Sequence, residues 1–122
     1  MSAWPSELRL SKDKKTLTVT FEDGQSHDLS AELLRVMSPS AEVQGHSAAE
    51  RKTVGGKINV TILAVDPVGN YAVRLTFDDM HNTGLYTWTY LAELGHDKDA
   101  RWAAYLSALQ EKGLSRERPG QR

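Results

Sequence analysis

Between Asp66 and Trp88 the chain reads DPVGNYAVRLTFDDMHNTGLYTW, and this stretch restricts the fold more than any other. Pro67, Gly69 and Asn70 form one turn signal, and Asn82, Thr83 and Gly84 form another. Between them Tyr71, Val73, Leu75 and Phe77 alternate with Ala72, Arg74 and Thr76. Period-two alternation places the first set on one face of a strand. The preceding run Ile58 to Val65 (INVTILAV) is β-branched and apolar, so the two runs read as neighbouring strands of a hairpin. Two adjacent carboxylates, Asp78 and Asp79, and the histidine His81 follow the second strand directly.

A second hairpin precedes the first. Leu8 and Leu10, then Leu17, Val19 and Phe21, alternate with polar residues, and Ser11 to Lys15 make a polar turn. Trp4-Pro5 before it reads as an anchor covering one core edge. Asp23-Gly24 is a further turn, with a short third strand expected from Ser26 to Leu29. Ser30 is placed to cap a short helix carrying Leu33, Leu34 and Met37, which Pro39 ends. Residues 40–56 are polar and glycine-containing and read as a surface loop. Leu85, Trp88, Leu91 and Leu94 fit either a short helix or a strand-to-helix passage, ended by Gly95. Trp102, Tyr105, Leu106 and Leu109 lie at i, i+3, i+4 and i+7, one face of a C-terminal amphipathic helix. Asp97 or Asp99 would cap its start, and Gly113 would lie just past its end. The expected fold is α+β: a small antiparallel β-sheet of hairpins with two or three helices packed on it. Residues 1–113 form one domain and 114–122 a disordered polar tail.

Composition removes several function classes. Fifteen basic and 16 acidic residues give a net charge of −1, which argues against a broad nucleic-acid or anionic-lipid footprint. No apolar run is long enough to span a bilayer, and the first residues lack a signal-peptide core, so a cytoplasmic location is the default expectation. The chain has no cysteine. Disulfides, thiol nucleophiles and thiolate-bound zinc or iron–sulfur clusters are therefore excluded from its own side chains. A metal would need His, Asp and Glu, and only four histidines exist: His27, His46, His81 and His96.

Asp78, Asp79 and His81 can be read in two ways. A carboxylate–imidazole set can hold a divalent iron or zinc ion or move protons. Equally, aspartates at a strand end cap turns through their own backbone. Ser38, Pro39, Glu42 and His46 form a second group, in which a serine lies near a histidine. No G-x-S-x-G elbow accompanies it, and helix termination followed by a capping box accounts for the same residues. Gly55-Gly56-Lys57 lacks the phosphate-loop spacing. Trp88, Tyr90, Trp102 and Tyr105 read as core rather than a base-stacking platform.

Several ordered segments together resemble one family. They are Trp4-Pro5, Leu8-Arg9-Leu10, the L-x-V-x-F-x-D-G hairpin ending at Asp23-Gly24, LLRVMSPSAEVQGH (Leu33 to His46) and PVGNYAVRLTFDDMHNTGLYTWTYL (Pro67 to Leu91). The chain is similar over about positions 4 to 95 to the gamma-butyrobetaine hydroxylase-like N-terminal domain. The resemblance implies a domain that precedes the catalytic iron/2-oxoglutarate domain in carnitine-pathway dioxygenases, binds a structural zinc through a cysteine cluster and one histidine, and helps form a dimer. In other proteins the domain stands alone or is fused to P-loop ATPases that carry iron–sulfur clusters. His81 falls where the family has its zinc histidine. The cysteine cluster falls near Met37 to Ala41, which reads Met-Ser-Pro-Ser-Ala here, and serine oxygen is a poor substitute for thiolate on zinc. The dioxygenase iron triad is absent from the sequence.

These readings lead to a non-catalytic accessory or interaction domain, serving a protein partner of iron–sulfur or metal-dependent chemistry, with a homodimer as a further option. The alternative is a metal-binding protein using His81, Asp78 and Asp79, and an enzyme acting by itself ranks third. The expected binding patch comprises Arg35, Ser38, Pro39, Glu42, His46, Asn70, Tyr71, Asp78, Asp79, His81 and Trp88. Within it Arg35, Ser38 and Glu42 are expected to face Asp78 and His81, with hydrogen bonds in place of the metal.

Overall fold

The computed structural model describes residues 4–39 and 53–117. Alternating Leu17, Val19 and Phe21, all buried, build the first sheet. Strands β1 (Pro5–Leu10), β2 (Thr16–Phe21) and β3 (Ser26–Ser30) pair antiparallel in that order, with Leu10 opposite Leu17 and Leu17 opposite Leu29. The β1–β2 turn is closed by Asp13, whose carboxylate accepts from the Ser11 hydroxyl at 2.6 Å and the Lys15 amide at 3.0 Å. Ser30 caps α1 (Ala31–Val36) as expected, its hydroxyl accepting from the Leu33 amide at 3.0 Å.

The second sheet contains β4 (Ile62–Val68), β5 (Ala72–Phe77) and β6 (Leu85–Thr87), again antiparallel in chain order. The single sheet expected from the sequence is thus two three-stranded sheets, within the same α+β class. They are tied at the Ile62 amide, which donates to the Lys14 carbonyl at 2.8 Å. Strand β4 begins four residues later than Ile58 and runs through Pro67, which pairs with Val73. A proline without an N–H is tolerated there because β4 is an edge strand.

The C-terminal helix differs most from expectation. It is one 24-residue element, α2 (Trp88–Glu111), capped by the Thr87 hydroxyl and running uninterrupted through Gly95, Asp97 and Asp99. Gly95 is not a stop. A Cβ at Gly95 would collide with the His27 ring, so the glycine allows α2 to lie close over β3. Gly113 does lie just past the helix, with φ +67°. Leu91, Leu94, Tyr105 and Leu109 reach the core, whereas Leu106 is exposed and Trp102 packs at its edge. Trp4 is also largely exposed, so it anchors through its carbonyl, which accepts from the Glu22 amide at 2.9 Å, rather than through its ring.

The core is shared by the two sheets and by α1 and α2. Leu17, Val19, Leu29, Leu34, Ile62, Val73, Leu75, Phe77, Tyr86, Leu91 and Leu94 are all at most 1 % exposed. Among the described residues no helix is long and apolar enough to cross a membrane. Of the tail expected from residue 114 onward, residues 114–117 are among those described. Ser115 and Arg116 are held against the fold: their carbonyls accept from the Gly56 and Ile58 amides at 2.8 and 3.0 Å, and the Arg116 side chain pairs with Glu32.

Candidate functional site

Helix α1 is too short to satisfy its own last carbonyls, and two tyrosines complete it. The Tyr86 hydroxyl donates to the Leu34 carbonyl and the Tyr90 hydroxyl to the Met37 carbonyl, each at 2.5 Å. Tyr86 is fully buried, and that burial pushes its phenol well above the ordinary range. These contacts fix where α1 ends, and so where Arg35 and Ser38 point.

Opposite them, β5 ends in a tight turn. The Phe77 amide donates to the His81 carbonyl, and the Met80 amide donates to the Phe77 carbonyl, both at 3.0 Å. Met80 takes a left-handed backbone, φ +74°, and leaves its side chain 78 % exposed. The turn delivers His81 to Ser38: the buried Ser38 Oγ and His81 Nε2 are 2.9 Å apart. Gly84 makes this approach possible, since a Cβ there would collide with Ser38 Oγ.

Asp79 braces the turn. Its Oδ1 accepts from the His81 amide at 3.0 Å, while its Oδ2 is shared by Arg35 Nε at 2.7 Å and Lys57 Nζ at 2.5 Å. Burial alone would raise the Asp79 carboxyl. The Lys57 ammonium, the His81 amide and Arg35 outweigh it and hold the group at about 2. Arg35 Nη1 is buried without a hydrogen-bond partner. Asp78 is exposed and stays with the backbone, its Oδ1 accepting from the Thr61 amide at 3.2 Å. Beside the turn lies an open cleft of about 570 Å³, lined by Gly56, Lys57, Asn59, Val60 and residues 78–80.

The expected patch therefore divides. Arg35, Ser38, Asp79 and His81 meet, and Arg35 faces Asp79 rather than Asp78. Pro39 lies beside Gly84. Asn70, Tyr71 and Trp88 gather at the other end of β5, where Trp88 Nε1 donates to the Asn70 carbonyl at 2.9 Å and Tyr71 is half exposed. The six residues of β5 separate the two groups by roughly 20 Å at strand rise. Glu42 and His46 lie outside the described residues. Lys57, Met80 and Tyr86 were not expected at the site. Gly84 was the one local signal of a close approach; Lys57 and Asp79 are 22 residues apart and carry no shared motif.

The zinc that the family resemblance implies does not fit these residues. Ser38 occupies the expected cysteine region, and His81 Nε2 is engaged with its hydroxyl. Asp79 is taken by two cations and Asp78 by a backbone amide. Among the described residues no three His, Cys, Asp or Glu side chains converge.

The arrangement can hold a turn rigidly and present it. Comparisons with known proteins agree on the fold. A protein solved in solution by NMR is 49% identical, with TM-score 0.83 over 96% of this chain and 92% of its own. A second NMR structure is 45% identical, with TM-score 0.81 over 94% and 86%. A crystal structure of a protein of unknown function from Acidithiobacillus ferrooxidans ATCC 23270, which belongs to the DUF971 family, is 40% identical, with TM-score 0.63 over 75% of this chain and 91% of its own. No protein of curated function matches. The family model described as gamma-butyrobetaine hydroxylase-like, N-terminal, matches residues 8–92, and the chain belongs to that family.

Proposed function

We propose that the chain is a non-catalytic accessory domain that docks on a protein partner through the Asp78–Gly84 turn and the cleft beside it. One observation carries this reading: Met80, a large apolar side chain, is held 78 % exposed on a left-handed backbone. A non-glycine residue in that conformation is strained, and such strain persists only where its surroundings over-determine it. Here Asp79 supplies that restraint through three hydrogen bonds. The account is of a braced turn that offers one apolar side chain beside a polar cleft, a small anchor with a polar rim. Family resemblance supports a partner of iron–sulfur or metal-dependent chemistry, and a cytoplasmic setting is the default expectation from the sequence.

Quantitative affinity capture from native lysate tests the reading, using wild type, Met80→Glu and Leu63→Glu. Leu63 is another exposed apolar residue, on the β4 edge strand. A partner retained by wild type and Leu63→Glu but lost by Met80→Glu supports the assignment. The same capture by all three refutes it.

A further inference from the structure

The C-terminal segment is gripped as a peptide ligand would be. Glu32, in the first turn of α1, is 6 % exposed, and a buried carboxylate requires a paired cation. Arg116 supplies one from 84 residues away in a two-pronged fork, Nε to Oε2 at 2.9 Å and Nη2 to Oε1 at 2.7 Å. Its guanidinium also lies over the Trp102 ring, 5.0 Å from the centroid. The main chain is held too: the Ser115 carbonyl accepts from Gly56 N at 2.8 Å and the Arg116 carbonyl from Ile58 N at 3.0 Å. Gly55 clears the path, since a Cβ there would stand 2.8 Å from the Ser115 carbonyl oxygen.

We infer that Glu32, Trp102 and the 55–58 backbone form a docking groove for an extended arginine-bearing peptide, filled in cis by Ser115-Arg116, and that a partner's arginine-bearing segment can replace it. Three features make the groove exchangeable. The segment belongs to neither sheet and leaves α2 at Gly113, a left-handed pivot. Its grip is main-chain bonds plus one side chain, so release does not dismantle the core. The Arg116 side chain is 38 % exposed, open to a competitor. A planar bidentate fork over an aromatic face selects guanidinium over ammonium. Because the resident segment is tethered, an incoming one competes against an effective concentration on the order of mM. Lys57 lies between the two gripping amides and pairs with Asp79, so one segment borders both the groove and the turn. The inference goes beyond the docking role of Met80 and does not depend on it.

The test uses full-length Arg116→Ala and a peptide of sequence LSRERPGQR (residues 114–122), followed by NMR at the Gly56 and Ile58 amides and the Trp102 indole. The expected result is saturable binding to the variant, at least tenfold weaker for a peptide with lysine at the Arg116 position, and weaker binding of the native peptide to wild type. A well-dispersed variant spectrum with no saturable shift at mM peptide overturns the inference, as does equal affinity for the arginine and lysine peptides. If Arg116→Ala does not give a dispersed spectrum, Arg116→Lys replaces it under the same criteria.

Discussion

Ser38 and His81, 43 residues apart in sequence, meet side chain to side chain at 2.9 Å inside the protein. This contact joins the end of α1 to the turn after β5. It sits where the family resemblance places a zinc site, and here a hydroxyl–imidazole hydrogen bond spans that position.

Gly84 is the geometric condition for that contact. Gly84→Ala pushes a methyl into Ser38 Oγ and crowds Pro39 and the Tyr86 ring. A loss of about 1–3 kcal/mol is expected from overpacking. Urea denaturation measures it, and the His81 ring resonances should shift with it.

Asp79 holds the turn through two cations. Asp79→Ala removes both ion pairs and leaves the Arg35 side chain, 12 % exposed, without its carboxylate. The groups are only partly screened from water, so the expected loss at pH 7 is about 1–3 kcal/mol, below that for a fully buried pair. Chemical denaturation of wild type and variant checks it.

The same carboxylate gives a pH signature. Its folded value, about 2, lies below the ordinary 3.8. A lowered carboxyl contributes stability that is complete above its unfolded value and lost as pH falls through its folded value. The difference between wild type and Asp79→Ala should therefore be constant above about pH 5 and close as pH falls through the folded value of about 2. A difference unchanged across that window would show that the ion pairs contribute nothing.

His27 titrates in a higher window. Burial against α2 lowers its pKa below 6.5, and His96 and Lys98 add to the lowering while Asp23 opposes it. Its Nε2 is buried without a partner, and the His96 ring stands 5.2 Å away. Neutral His27 is the form the fold accepts, so its contribution is complete above pH 6.5 and declines as the solution is acidified through the folded pKa. NMR titration should give His27 a value below 6.5, and amides of β3 and of α2 around Gly95 should show lower protection factors, relative to the intrinsic exchange rate at each pH, at pH 5 than at pH 7.5.

Both hairpins, the Ser30 cap and the Ser38–His81 proximity were legible because each is written in local chemistry: alternation, a capping hydroxyl, an ordered set of family motifs. The continuity of α2 was not. Gly95 carries the same local signal whether it ends a helix or lets one pass close to a histidine, and His27 lies far away in sequence. The end of β4 was placed too early, at Val65, because Pro67 reads as a turn unless its strand is known to be an edge. Lys57 and Arg116 were missed for a further reason. Both lie in polar segments that resemble solvated loops, and their carboxylates become partners only once the sheets are assembled.

The docking account stands or falls on where a partner touches the chain. Hydrogen–deuterium exchange of the chain with and without the captured partner reads this directly. The account predicts new protection at 78–81 and 56–60, with the Asn70–Tyr71 turn at the far end of β5 unchanged. Protection confined to that far turn, or to the β1 edge, would contradict it.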